Sequence, residues 1–189
     1  NYNVGFNVIS VKRDINEEEY EVSQEDNGKR VTIGSKDVTL SNGEHTYTIV
    51  YITNRQLGYF ENNDELFWNV TGNGWGFPIE EASASVTIPK VLDSSTSALG
   101  GYTGVNGSTE KNLEYSIDTD GKAVFKTTKA LQACEGLSVY VTFPKGIVQK
   151  PSFSEETSYW LQDNAGTLVI CIGAVVSLCI YLFGWIMYG

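Results

Sequence analysis

The chain has 189 residues, enough for one domain with a full core plus an appendage. Thirteen basic residues against twenty-three acidic ones leave a net charge of −10, which excludes a nucleic-acid partner because no basic stripe is available to displace counterions from phosphates. Three cysteines are present and only Cys134 lies outside the apolar tail, so the body of the chain is not a disulfide scaffold.

The first predicted elements are strands. "EEEYE" around Glu17 is a charge run expected in an exposed loop. Asn27-Gly28 predicts a hairpin between the Tyr20–Gln24 region and "RVTIG", and Asn42-Gly43 a turn before the next strand. That strand, "TYTIVYI", alternates through Tyr47, Ile49 and Tyr51, yet Val50 and Ile52 make its second face apolar too. Such a strand is expected to be central or covered.

Asp64 to Pro89, "DELFWNVTGNGWGFPIEEASASVTIP", crowds two tryptophans, three glycines and four carboxylates together. "ELFWNV" predicts a strand, Gly72 to Gly76 a tight turn, and Pro78 an extended exit. Phe67, Trp68, Trp75 and Phe77 fit either a sugar-stacking platform or a corner of the core. Three glycines in five residues favour the corner, because they make a turn rather than a flat platform. "ASASVTIP" then places Ala82, Ala84, Val86 and Ile88 on one strand face and Ser83, Ser85 and Thr87 on the other.

Asp93 to Thr109 is rich in Ser, Thr and Gly and reads as a long loop, a candidate contact surface. "LEYSIDTDGKAVFKTT" predicts a hairpin whose Asp120-Gly121 supplies the positive φ angles of a tight turn. "LSVYVTF" aligns Leu137, Val139, Val141 and Phe143 on one face. Many short strands joined by turns point to an all-β, antiparallel sandwich over residues 1–150.

Residues 151–163 read as a short stalk carrying Glu155 and Glu156, and 164–189 as a single transmembrane helix. From Ala165 to Gly189 there is no charge, and the run exceeds the roughly 20 residues that cross a bilayer as a helix. Membrane lipid is therefore the expected partner of residues 165–189. Trp160 and Trp185 would stand roughly 37 Å apart along one continuous helix, near two interfacial belts. Gly173 and Ser177 form a small-xxx-small pair, a weak sign of helix pairing.

Residues suited to chemistry are few. His45 is the only histidine, beside a turn where a solvated ring is ordinary, and no metal or cofactor motif is present. "GGYTG" is not followed by a predicted helix and so lacks the context of a phosphate loop. The adjacent carboxylates Asp64-Glu65 and Glu80-Glu81 remain as acid/base candidates. Neighbours on a strand point to opposite faces, so each pair offers at most one member to a site. Asn69-Val70-Thr71 and Asn106-Gly107-Ser108 fit the glycosylation tripeptide, and Asn69, within the aromatic cluster, is expected to be structural.

The stretch "DELFWNVTGNGW", continued by Gly76 and "FPI", resembles the signature of the bacterial membrane proteins called domain of unknown function 2207. "GFNVISVKRD", "IGSKDVTLSNGEHTYTIVYITNRQLGYF", "GYTGVNGS" and "EGLSVYVTFPKG" are similar to further parts of that domain, in order. The resemblance implies an ectodomain on the outer face of the cytoplasmic membrane, residues 1–163 being extracytoplasmic. It also implies strands before Asn1 and further membrane segments after Gly189. It assigns no catalytic residues. The motif positions Asp64, Glu65, Trp68, Asn69, Gly72, Trp75, Pro78 and Ile79 are read as structural.

The sequence thus leads to a membrane-anchored interaction module of the cell envelope, binding an envelope protein or polymer. The alternative is an envelope glycan hydrolase or transferase using Asp64, Glu65, Glu80 or Glu81, and a third reading has a sheet edge pairing with a partner strand. Trp68 and Trp75 discriminate: lining an open cleft beside a carboxylate favours the enzyme, burial disfavours it.

Overall fold

A computed structural model describes residues 3–25 and 28–188. The chain is antiparallel β followed by helix, and it divides into two compact units: residues 1–55 with 151–189, and residues 56–150.

The first unit contains β1 (Phe6–Arg13), β2 (Asn16–Glu17), β3 (Tyr20–Glu25), β4 (Gly28–Ile33) and β5 (Tyr47–Thr53). β2, β1 and β5 form one antiparallel sheet in that order, with a bulge at Ile9, and β3 pairs with β4. The predicted hairpin is present as this pair, although Asn27 of its turn lies outside the described residues. Two expectations fail here. The acidic run is not a loop: Glu17 pairs with Lys12, Glu18 bonds Arg13, and Tyr20 begins β3. Nor is β5 central. It ends its sheet, and Tyr47, Ile49, Val50, Tyr51 and Ile52 are 38–64% exposed. Apolarity on two faces marks a strand that gains from cover, but it does not say what supplies the cover.

His45 also departs from expectation. Its side chain is largely buried, with Nδ1 3.2 Å from Asp14 Oδ2 and Nε2 3.0 Å from the Ser41 carbonyl. The Ser41 contact, then Asp14, raises its pKa.

The second unit holds β6 (Leu57–Tyr59), β7 (Asn63–Asn69), β8 (Ser83–Val86), β9 (Ala98–Gly104), β10 (Leu113–Ile117), β11 (Ala123–Thr127) and β12 (Gly136–Pro144). They build a four-stranded sheet, β6-β7-β12-β9, and a three-stranded one, β10-β11-β8. Leu137, Val139, Val141 and Phe143 from one sheet meet Ala123 and Phe125 from the other in a single core, which makes the unit a sandwich. The period-two readings of "LSVYVTF" and "ASASVTIP" hold, because alternate residues of a pleated strand must face one core. The β10–β11 hairpin also holds, with Gly121 at φ +76° and Asp118 accepting from the amides of Asp120 and Lys122.

The stretch expected to be a long loop instead contains β9. A Cβ at Gly101 would lie 2.4 Å from the Ser138 carbonyl oxygen, so glycine is what lets β9 approach β12. The predicted loop was a strand hidden by its own glycines.

The stalk is a helix, α1 (Phe153–Asp163), opened by a capping box in which Ser152 and Glu155 satisfy each other's backbone N–H groups. It ends at Asn164, and α2 (Ala165–Tyr188) begins afresh. Trp160 therefore belongs to α1, and the belt distance drawn along one helix does not apply. α2 has 24 residues, none of them charged and none buried. At about 1.5 Å per residue it still spans a bilayer core by itself. The Ser177 hydroxyl donates to the Gly173 carbonyl one turn earlier, so that polar group is satisfied within its own helix.

Within the first unit, Arg55 joins sheet to stalk. Its guanidinium donates to both Asp163 carboxylate oxygens, at 3.0 and 2.6 Å, and lies 4.6 Å from the Tyr159 ring centroid. Asn3 N donates to the same carboxylate. These partners, Arg55 first, hold the Asp163 pKa down at about 2.

Candidate functional site

The aromatic motif closes the end of the sandwich. Asn69 Oδ1 accepts from Gly72 N at 3.0 Å, and Gly72 takes φ +69°. Thr71 Oγ1 accepts from Leu137 N of β12, while the Thr71 carbonyl accepts from Trp75 Nε1 at 2.7 Å. Cys134 N donates to the Trp75 carbonyl, and Ile79 exchanges two backbone bonds with Leu131. The glycines and amides of this stretch are thus occupied in a turn that ties β7 to the approach to β12.

The four aromatics divide. Trp68 packs against the core, whereas Phe67, Trp75 and Phe77 are 50%, 46% and 59% exposed. Trp75 and Phe77 lean on each other with ring centroids 5.3 Å apart. Pro78 is exposed. Alternation along β7 explains Phe67 and Trp68: neighbours on a strand must face opposite ways.

The acid/base candidates separate likewise. Asp64 faces inward at 2% exposure and accepts from Lys145 Nζ at 3.1 Å, while Glu65 lies on the other face of β7, paired with Thr142. Glu80 and Glu81 are exposed just before β8, and Glu81 is ion-paired with Lys126 at 2.7 Å. That pair raises the Lys126 pKa, with Glu114 adding to it. Glu81, Glu114 and Lys126 line one open groove of about 650 Å³ on the three-stranded sheet. Glu114 was not among the sequence candidates, since it has no carboxylate neighbour in the chain. Among the described residues no three His, Cys, Asp or Glu side chains are grouped to hold a metal.

The outer face of the four-stranded sheet has a different chemistry. Register sets Phe67, Tyr140 and Gly100 in one row across β7, β12 and β9, and Asn69, Ser138 and Tyr102 in the next. The Tyr102 and Tyr140 rings stand 6.3 Å apart, and Lys111 Nζ lies 5.9 Å from the Tyr102 ring. At one end Phe67, Asn69, Tyr102 and Ser138 line a cavity of about 300 Å³ with the Gly104–Ser108 turn. A Cβ at Gly100 would meet Tyr140 Oη at 2.3 Å, so glycine leaves room for that ring. The signal in the sequence was the second face of "LSVYVTF", where a tyrosine sits between Ser138 and Thr142.

A family model described as "Predicted membrane protein (DUF2207) N-terminal domain" matches residues 1–143. An uncharacterized protein of Escherichia coli K12, YciQ, is 24% identical over 185 residues. The match takes in 96% of this chain but 28% of that relative, so the chain spans little more than a quarter of its length. No solved structure matches the chain.

Proposed function

The chain belongs to the family of predicted membrane proteins that carry the DUF2207 N-terminal domain, and on that premise we propose that it is a membrane-anchored binding module of the bacterial cell envelope. Residues 1–150 form its extracytoplasmic β region, 151–163 its juxtamembrane stalk and 164–189 its anchor in lipid. The partner is an envelope protein or an envelope polymer. One observation supports this reading above the rest: the outer face of the four-stranded sheet presents Phe67, Tyr102 and Tyr140 beside amides and hydroxyls. Aromatic rings with polar rims are the usual substance of recognition surfaces.

A hydrolase would need two free carboxyl groups facing one bond. Asp64 is instead engaged by Lys145 inside the sheet, and Glu81 by Lys126. The motif residues Asp64, Glu65, Trp68, Asn69, Gly72, Trp75, Pro78 and Ile79 are read as the structural frame of the binding face, Asn69 through the oxygen that holds Gly72.

The orientation is testable through Cys134, which is exposed, whereas the other two cysteines lie in α2. A membrane-impermeant maleimide should label Cys134 in spheroplasts without permeabilisation. Labelling only after permeabilisation puts the β region on the cytoplasmic side and ends the proposal.

A second reading, addition of a partner strand, is favoured by β5 lying at a sheet edge with its apolar side chains exposed. Photo-crosslinkers at Ile52 and at Tyr102, compared in intact cells, separate the two. Capture from Ile52 alone supports strand addition.

A further inference from the structure

The ligand class of the binding face follows from what is missing there as much as from what is present. The cavity at Phe67, Asn69, Tyr102 and Ser138 has no charged lining residue, in a chain with 36 acidic and basic side chains. The two larger cavities of the same unit are charged: Glu81, Glu114 and Lys126 line one, Lys90 and Asp93 the other. An ionic ligand would have to shed water in this cavity without gaining a counter-charge from its lining. The charges of the surrounding face, Glu65 one row from Phe67 and Lys111 beside the Tyr102 ring, are of opposite sign and lie outside it. A purely apolar ligand would strand the polar groups it covers. The hydroxyls of Tyr102, Tyr140 and Ser138 and the side chain of Asn106 have no partner among the described residues. Asn69 spends its oxygen on Gly72, and its amide NH₂ has no partner among the described residues.

Neutral donors and acceptors beside aromatic faces suit a sugar ligand. A pyranose ring turns polarised C–H groups towards the negative face of an aromatic ring and carries hydroxyls around its edge. We propose that this sheet face binds an uncharged oligosaccharide, with Phe67, Tyr102 and Tyr140 as stacking surfaces and Asn69, Asn106 and Ser138 as hydroxyl partners. Tyr102 and Tyr140, at 6.3 Å, offer neighbouring rings to successive sugars. The cavity of about 300 Å³ at the end of this row is at the lower end of the roughly 300–1,000 Å³ of small-molecule sites. That suits the terminal sugar of a chain lying across the face. The proposal rests on the binding-module reading and adds the class of ligand.

The test uses the full chain in lipid nanodiscs and calorimetry with three probes: glucose hexamer, N-acetylglucosamine hexamer and galacturonic acid hexamer. One or both neutral hexamers should bind, and the anionic one more weakly. Tyr102→Ala and Tyr140→Ala should each weaken binding about tenfold. Gly100→Ala should do so as well, because its Cβ would displace the Tyr140 ring. Tyr115→Ala, on the other sheet, should leave binding unchanged, and circular dichroism checks that every variant is folded. Failure of both neutral hexamers to bind, preference for the anionic probe, or indifference to Tyr102 and Tyr140 overturns the proposal. A photo-crosslinker at Tyr102 keeps the two levels apart. Repeated capture of one defined envelope protein there defeats the oligosaccharide but leaves the binding module standing, whereas neither sugar nor protein defeats both.

Discussion

Asp64 is the most buried charged side chain of the motif, and Lys145, itself 44% exposed, is its ion-pair partner. Removing the lysine leaves a carboxylate in the sheet interior with its desolvation uncompensated. Lys145→Ala should therefore lower stability by roughly 1–3 kcal/mol, read from chemical denaturation in detergent. Asp64→Leu combined with Lys145→Ala should recover part of that loss, since the orphaned charge is then gone. A second residue-scale prediction concerns Asp163. Its folded pKa is depressed from 3.8 to about 2, so its pairing with Arg55 stabilises fully above the unfolded value. That contribution is lost as pH falls from about 4 to about 2. Asp163→Asn should abolish this acid transition, monitored through tyrosine fluorescence or hydrogen exchange at the head of α1. None of these pairings is legible from the chain alone. Asp64 and Lys145 are 81 residues apart, Arg55 and Asp163 108.

At the scale of elements, glycine carries the lesson. The Gly-rich segment before Tyr102 resists strand prediction because glycine lowers β propensity and leaves one alternation face blank. The same absence of a side chain is what permits β9 to pack on β12. Gly101→Ala should cost about 1–3 kcal/mol, because its Cβ would press on a backbone oxygen that has no rotamer to yield. Gly74→Ala meets nothing within 4 Å and should be near neutral. Melting temperatures of the two variants decide the matter, and equal values would remove the packing account. The helix α1 was hidden differently. Its start was present in the sequence as Ser152 three places before Glu155, but no apolar stripe followed, and none of its residues is buried.

At the scale of the molecule, α2 governs behaviour in solution. Twenty-four uncharged, mainly apolar residues with no burial need lipid or detergent around them. The full chain should sediment with membranes, resist extraction by alkaline carbonate, and run as a single species only in detergent. A monodisperse chain in plain buffer would contradict this. What the sequence determined by itself was whatever depends on neighbours along the chain: the apolar span, the alternating core strands, the hairpin at Gly121 and the family signature. These follow from fixed periodicities of backbone and bilayer, which a local pattern is enough to express. The tertiary structure alone decided which outward faces come together on one surface. Register across three strands brings Phe67, Tyr140 and Tyr102 onto one surface and turns Asp64 inward. That arrangement is a property of pairing between distant segments, so no single stretch of the chain contains it.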